Sequence, residues 1–228
     1  MDCQTLLVDA DDTLWENNVF FEQAIAEFAA RFEPLGYSPA DVRRVLYETE
    51  RRNVPRHGYG VGCFRRSLEE TYRHLAGERA HSDEWAWIRH RARELETTPP
   101  RVLDGVPETL AFLARRHRLI LFTKGEPVEQ AAKIGRSGLS GYFEAVEILP
   151  EKDTATYEQV VSWHKIVKRN AWMVGNSPRS DVNPALEAGL NAVFIPHSMT
   201  WELEHAELRS GAGRMLQLAS FRDLRRHF

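Results

Sequence analysis

Short apolar runs occur near the N-terminus and again throughout the second half of the chain. Residues 6–8 form the first run, and the later runs cover residues 119–122, 146–149, 171–174 and 192–195. Runs of this length predict strands that are buried on both faces of a sheet. Helical patterns separate the later runs, so strand and helix alternate along this half. The alternation predicts an α/β domain with a parallel sheet and right-handed crossovers, and residues 216–218 are a candidate edge strand.

A different pattern fills the long segment between the first two apolar runs. Apolar side chains recur there at helical spacing, as at Phe21 and Ile25, and no alternating strand pattern is found. We therefore predict an all-helical insertion over residues 17–98, within a core formed by residues 1–16 and 99–228.

Start and stop signals divide this insertion into four helices. Ser38 before Pro39 combines an N-cap with a first-turn proline, and Ser82 is the predicted N-cap of the last helix. Between them, residues 53–62 contain three glycines and predict a loop.

Composition and charge narrow the class of protein. The chain has 228 residues, with 43% hydrophobic and 28% charged residues, as is usual for a globular protein. A net charge of −3 without a long basic run gives no reason to expect nucleic acid as a partner, and no apolar stretch is long enough for a membrane span. Cys3 and Cys63 predict reduced thiols, and no signal-peptide pattern is visible, so we expect a cytoplasmic protein. The sequence leaves open whether it is a monomer or a homodimer.

Polar side chains follow several of the predicted strands at the point where each strand ends. Asp9 and Asp11 come after the first strand, and two residues apart in an extended chain their side chains point the same way. Two such carboxylates repel each other unless a cation or a shared proton relieves them, which favours a metal site, an acid and nucleophile pair, or both. The alternative is that they are turn formers or helix caps, as Asp residues after strands often are.

Further polar residues are expected at the same edge of the sheet, because the carboxyl ends of parallel strands meet there. They follow the later strands and include a hydroxyl, two lysines and two oxygen ligands, namely Thr123, Lys124, Lys152, Asn176 and Asp181.

These residues resemble the four motifs of the haloacid dehalogenase (HAD) superfamily. Asp9-Ala10-Asp11-Asp12-Thr13 is similar to the first motif, Asp-x-Asp-x-Thr, and the other three motifs have counterparts in Thr123-Lys124-Gly125, in Lys152, and in Gly175-Asn176-Ser177 through Asp181. Their order, spacing and strand context match over essentially the whole chain. The resemblance implies a Rossmann-like core with a C1-type helical cap over residues 17–98.

The resemblance also implies a role for each catalytic residue. Asp9 would attack phosphorus and form an aspartyl-phosphate, and Asp11 would act as general acid and then as general base. Thr123 and the backbone N–H groups of Lys124 and Gly125 would bind phosphate oxygens, and Lys152 would lie near Asp9 and the phosphate. Members that dehalogenate carbon lack the second acid, so Asp11 favours a phosphatase.

A magnesium ion is expected on electrostatic grounds, because three carboxylates and a phosphomonoester carry about five negative charges between them. By the resemblance its ligands would be Asp9, the backbone carbonyl of Asp11, and either Asn176 or Asp181. Two positions depart from the family pattern: Lys124 stands where Asn is common, and Asn176 stands where Asp is common. The sequence leaves open the side-chain role of Lys124 and the choice between Asn176 and Asp181.

The predicted cap would select the substrate. Arg56, His57 and Tyr59 in the glycine-bearing segment are candidates to face the leaving group, and a solvated loop is the alternative interpretation. Asp12 is interpreted as a turn or cap residue. The sequence predicts a Mg²⁺-dependent phosphatase for a small phosphorylated metabolite, with a phosphomutase or a non-catalytic binding protein of the same fold as alternatives.

Overall fold

The computed structural model describes residues 3–228, which form two compact units. Met1–Asn18 and Pro99–Phe228 make up the first unit, and Val19–Thr98 make up the second. The first unit includes residues 17 and 18, which the sequence analysis assigned to the insertion.

A six-stranded sheet forms the centre of the first unit, and its strands run in the order β5-β4-β1-β6-β7-β8. Every pair of neighbouring strands in this sheet is parallel. The predicted α/β fold with a parallel sheet is therefore confirmed. A separate antiparallel pair, β2 with β3, was not predicted. The strands are β1 (Thr5–Val8), β2 (Trp15–Glu16), β3 (Arg101–Val102), β4 (Arg118–Lys124), β5 (Ala145–Leu149), β6 (Ala171–Gly175), β7 (Asn191–Phe194) and β8 (Met215–Gln217).

Helices account for most of the remaining regular structure. Short 3₁₀ segments follow several of them, and a π-helical turn, Pro178–Val182, comes shortly after β6. The α-helices are α1 (Asn18–Ala30), α2 (Pro39–His57), α3 (Val61–Ala76), α4 (Ser82–Thr97), α5 (Val106–Leu113), α6 (Pro127–Ser137), α7 (Thr154–Trp163) and α8 (Asn183–Glu187).

Strand β1 is buried on both faces because apolar layers cover the sheet on each side. Leu6 and Val8 belong to one apolar cluster with Leu110 of α5, whereas Leu7 packs in another with Tyr157 of α7. Successive side chains of a strand point to opposite faces, so an uninterrupted apolar run fits this central position. The burial of β1 fixes the point at which the chain leaves the sheet and becomes polar.

The second unit consists of α1 to α4 around an aromatic core. Phe32 packs edge-to-face against Phe28 and Tyr72, with ring centroids 5.0 and 5.8 Å apart. Ser38 caps α2 as predicted, accepting a hydrogen bond from the backbone N–H of Asp41. Ser82 is the first residue of α4, and the cap position is one residue earlier.

The prediction that a loop begins at residue 53 is wrong, because α2 continues to His57 and includes Pro55. The Asn53 side chain is buried and donates hydrogen bonds to Ser67 and Glu70 of α3, both at 3.1 Å. These contacts hold the last turns of α2 against α3, so tertiary packing overrides the usual helix-breaking effect of proline.

Within residues 3–228, no helix combines the length and the apolar character that a membrane crossing requires.

Candidate active site

Asp9 follows β1 directly, and its carboxylate is the centre of a buried polar cluster. Its backbone N–H donates to the Val174 carbonyl at 2.9 Å, which continues the pairing of β1 with β6. The side-chain Oδ1 accepts a hydrogen bond from Lys152 Nζ at 2.5 Å, and Oδ2 accepts one from Thr13 Oγ1 at 3.0 Å. Thr13 Oγ1 also lies 3.2 Å from Asn176 Oδ1, so residues of three sequence motifs meet here.

Lys152 is held between two carboxylates. Its Nζ donates to Asp181 Oδ1 at 2.8 Å as well as to Asp9, and the side chain is almost fully buried. Burial lowers the pKa of Lys152, but the charges and hydrogen bonds of Asp181 and Asp9 more than offset this, so its pKa is raised. Lys152 is therefore a charged ammonium that neutralises part of the acidic cluster.

The π-helical turn after β6 places Asp181 in this cluster. The Asp181 Oδ2 accepts the backbone N–H of Ser177 at 2.9 Å, and a Cβ atom at Gly175 would come within 2.2 Å of the same oxygen. A side chain at position 175 would therefore displace Asp181. π-Helical turns are rare and often occur at functional sites.

Burial dominates the electrostatics of Asp9. It raises the pKa of this carboxyl from 3.8 to about 7, with Asp181 and Asp11 adding to the effect and Lys152 opposing it. A carboxyl group in such an environment binds a proton or a cation readily near neutral pH.

Asp11 is surrounded by donors from two elements. Trp15 Nε1 donates to Oδ1 at 2.7 Å, Gln130 Nε2 donates to Oδ2 at 3.1 Å, and Lys133 Nζ lies within 2.8 Å of both oxygens. Gln130 and Lys133 were not predicted as site residues, because polar residues on a helix that follows a strand carry no distinctive signal.

The end of β4 supplies the next group of predicted residues. Thr123 Oγ1 accepts a hydrogen bond from Gln130 Nε2 at 2.8 Å, and Gly125 has a φ of 145°, a backbone conformation that favours glycine. Lys124 Nζ donates to Glu204 Oε1 at 2.5 Å and to Ser180 Oγ at 2.8 Å. The Lys124 side chain is thus part of an ion pair with Glu204, a residue that no sequence motif predicted.

The oxygen atoms near Asp9 suit a hard divalent cation. Asn176 Nδ2 donates to Thr200 Oγ1 at 3.2 Å, so the amide oxygen is the atom turned toward Thr13. Both oxygens of Asp181 accept N–H hydrogen bonds, from Lys152 and from the backbone of Ser177, whereas the Asn176 amide oxygen faces the Thr13 hydroxyl. Carboxylate and amide oxygens are the ligands that Mg²⁺ prefers, so the donor set fits such an ion.

A second group of possible ligands lies beside this cluster. Ligand atoms of Asp12, Glu16 and His197 are within 4.8 Å of one another. The Asp12 carboxylate also accepts the backbone N–H groups of Asn17 and Asn18 at 2.8 and 3.0 Å, immediately before and at the start of α1. These bonds agree with the interpretation of Asp12 as a turn and cap residue.

The second unit contains the three residues that were predicted to face the leaving group, Arg56, His57 and Tyr59. Arg56 and His57 form the exposed last turn of α2, and Tyr59 follows in the connection to α3. Their proposed contact with a leaving group stays a prediction.

Comparison with known proteins identifies the family. Residues 3–189 match the family model described as a haloacid dehalogenase-like hydrolase. A phosphoserine phosphatase of Thermus thermophilus is 32% identical, over 94% of this chain and 98% of that protein. The crystal structure of a HAD-like family hydrolase from Xanthomonas campestris has a TM-score of 0.86 at 31% identity, covering 99% of this chain and 90% of that one.

More distant structures share the fold. A 2-haloacid dehalogenase from Pseudomonas syringae has a TM-score of 0.61 at 22% identity, covering 97% of this chain and 96% of that one. The resemblance noted in the sequence is thus confirmed by a family match over most of the chain and by a relative of nearly equal length. The chain belongs to the haloacid dehalogenase-like hydrolase family.

Proposed function

We propose that this hydrolase is a Mg²⁺-dependent phosphatase that cleaves phosphomonoesters of small metabolites through a phosphorylated Asp9. The observation that carries the proposal is the presence of two carboxylates, Asp9 and Asp11, held at the end of one strand by different cations. Lys152 contacts Asp9, whereas Lys133 contacts Asp11. The two acids can therefore perform different tasks in one reaction.

Asp9 is the proposed nucleophile. Its carboxylate oxygen would form a bond to phosphorus while the bond from phosphorus to the ester oxygen breaks. Lys152 supports this step because its buried ammonium neutralises charge as the anionic phosphoryl group approaches. Thr123 and the backbone N–H group of Lys124 are proposed to bind the phosphoryl oxygens. The predicted role of the Gly125 N–H is wrong, because this group donates to the Leu149 carbonyl at 3.1 Å.

Asp11 is the proposed proton carrier. It would give a proton to the departing alkoxide and then take one from the water that hydrolyses the aspartyl-phosphate, which returns Asp9 to its starting state. A carbon–halogen bond needs no such proton, because halide leaves as a stable anion. The presence of a second acid at position 11 therefore supports an oxygen leaving group over a halide.

Magnesium would be held by Asp9, the Asp11 carbonyl and Asn176. Asn176 is favoured over Asp181 because its amide oxygen faces the Thr13 hydroxyl that also donates to Asp9, whereas both Asp181 oxygens accept N–H hydrogen bonds. When bound, it would supply positive charge that lets an anionic ester approach the anionic nucleophile. Asp181 is proposed to act on the cluster mainly by holding Lys152.

The proposal can be tested by phosphate release from a panel of phosphomonoesters. The panel includes phosphoserine, because the relative from Thermus thermophilus is a phosphoserine phosphatase. The chelator-treated protein is assayed with and without added Mg²⁺, and Asp9→Asn is compared with Asp83→Asn, which makes the same change on the exposed surface of the second unit. Release of halide from 2-chloropropionate is measured in parallel.

We expect Mg²⁺-dependent release that disappears in Asp9→Asn and persists in Asp83→Asn, with no halide release. Phosphate release that survives in Asp9→Asn would refute the assignment of Asp9 as the nucleophile. Transfer of phosphate between positions of a substrate, without release, would indicate a phosphomutase, and binding without any turnover would indicate a non-catalytic protein.

A further inference from the structure

Two residues of α6, Gln130 and Lys133, contact the Asp11 carboxylate directly. Gln130 Nε2 is 3.1 Å from Oδ2, and Lys133 Nζ is 2.8 Å from Oδ1 and 2.7 Å from Oδ2. They are three residues apart on one helix, so both side chains extend from the same face. Neither belongs to the motifs that identify the family in this sequence.

Gln130 connects Asp11 with the end of β4. Its side-chain amide also donates to Thr123 Oγ1 at 2.8 Å, and it lies 3.1 Å from the Lys124 carbonyl oxygen. The residue is only 2% exposed, so its rotamer is fixed by packing. Gly125 permits this close approach, because a Cβ atom there would lie 2.9 Å from Gln130 Cγ.

Lys133 is the positively charged residue among those that contact the Asp11 carboxylate. Its Nζ also donates to Asn17 Oδ1 at 3.1 Å, and its side chain is 13% exposed. A lysine held by three oxygen atoms at low exposure restricts the Asp11 carboxylate more than a solvated surface lysine would. Trp15 Nε1 completes the set of donors by contacting Oδ1 at 2.7 Å.

We propose that Gln130 and Lys133 are positioning residues that hold the Asp11 carboxylate at the leaving-group oxygen. The inference rests on the proposed function, which assigns proton transfer to Asp11. A general acid must lie within hydrogen-bond reach of the oxygen it protonates, and small errors in its position slow the reaction strongly. Gln130 sets the distance between Asp11 and Thr123, and Lys133 fixes the rotation of the carboxylate.

This inference can be tested with two phosphate esters whose leaving groups differ in their need for a proton. An alkyl phosphomonoester expels a basic alkoxide, whereas p-nitrophenyl phosphate expels a stabilised phenolate that leaves without general-acid assistance. The ratio of kcat/KM for the two esters therefore reports on the placement of Asp11. A general defect in folding or phosphate binding would lower both values together.

The variants are Lys133→Met and Gln130→Met, each of which removes the donor with little change in side-chain length. We expect kcat/KM for the alkyl ester to fall about 30-fold, a part of the full contribution of a general acid, and that for p-nitrophenyl phosphate to change less than about threefold. Lys133→Arg should recover part of the alkyl activity because it restores the cation. Lys168→Met, which removes the partner of Glu158 on the exposed surface of the same unit, is the matched control and should retain both activities.

Asp11→Asn separates failure of this inference from failure of the proposed function. Suppose that Asp11→Asn selectively loses kcat/KM for the alkyl ester. If Lys133→Met and Gln130→Met then lower kcat/KM equally for both esters, or for neither ester, the positioning role is overturned. If Asp11→Asn itself shows no selective loss, the assignment of proton transfer to Asp11 is wrong. Thermal unfolding of each variant identifies any that fails to fold, and the inference then stands or falls on the remaining two of Lys133→Met, Gln130→Met and Lys133→Arg.

Discussion

The two units of this protein place their charges in different environments. In the first unit, Lys152 is buried between Asp9 and Asp181, and Lys124 forms a mostly buried pair with Glu204. In the second unit, pairs such as Arg31 with Glu84 lie at the surface, around a core of aromatic side chains. Buried charges are costly unless they are paired, whereas surface pairs contribute little to stability.

This difference separates the residues that support chemistry from those that support folding. The buried pairs of the first unit meet at the ends of strands β1, β4 and β6, where the proposed nucleophile lies. Among the described residues of the second unit, Glu50 is the only charged residue that is buried. Substitutions in the two units should therefore be detected by different measurements.

The largest effect is expected from Lys152→Met, which removes the cation shared by Asp9 and Asp181. We expect kcat for phosphomonoesters to fall on the order of 10³-fold, because charge stabilisation of the transition state is lost. The free energy of unfolding should also fall by roughly 3–5 kcal/mol, because two buried carboxylates lose their partner. Steady-state phosphate release and urea unfolding measure the two effects.

Lys168→Met provides the control for that prediction, since its pair with Glu158 is exposed. It should change neither kcat nor the free energy of unfolding appreciably. Full activity in Lys152→Met would contradict the role of the buried pair.

The second prediction concerns the aromatic core. Phe32→Ala should lower the free energy of unfolding by about 3–5 kcal/mol, because it removes a ring that is 1% exposed and packs against Phe28, Tyr37 and Tyr72. Urea unfolding followed by tryptophan fluorescence detects this change. Val128→Ala, at a side chain that is 76% exposed, should stay within about 0.5 kcal/mol of the parent. Equal effects of the two substitutions would argue against the described core.

The third prediction uses the pair of Lys124 with Glu204. Burial alone would raise the pKa of Glu204, but the charge of Lys124 and hydrogen bonds from Lys124, Ser177 and Ser180 more than offset it, so the pKa lies below its usual 4.5. A carboxyl whose pKa is lowered by folding stabilises the protein above pH 4.5, and this contribution is lost as the pH falls through the lower folded value.

Glu204→Gln should therefore lower the free energy of unfolding at pH 7 by about 2 kcal/mol, because hydrogen bonds to a charged group are lost. Below pH 4.5 the difference from the parent should shrink, since the parent loses its ionised carboxyl there. Urea unfolding across this pH range measures the convergence. Curves that stay parallel down to the lowest pH would show that Glu204 does not supply this pH dependence, and Glu158→Gln is the matched surface control.

The sequence was sufficient to predict the elements whose signals are local. The apolar runs identified the strands β1 and β4 to β7, and the polar residues after them led to the family. Asp9, Lys152, Asn176 and Asp181 do lie together, because parallel strands end at one edge of the sheet.

Other features depend on contacts between distant residues and leave no local pattern. Lys124 pairs with Glu204, which is 80 residues away, and Lys133 contacts Asp11 from 122 residues away. Strands β2 and β3 have two residues each, too few for a period to be visible. The continuation of α2 through Pro55 likewise depends on the contacts of Asn53 with α3.

The smallest effect is expected at the surface of the second unit. Arg31 forms a bidentate pair with Glu84 and lies over the ring of Trp87 at 4.9 Å from its centroid. A double-mutant cycle of Arg31→Met and Glu84→Gln should give a coupling free energy of about 0.2–1 kcal/mol that decreases as salt is added, because water and ions screen an exposed pair. Urea unfolding at low and high salt measures it. A coupling free energy of about 3–5 kcal/mol, the size of the loss expected for Lys152→Met, or a coupling that is independent of salt, would mean that this surface pair behaves like a buried one. The contrast between the two units would then fail.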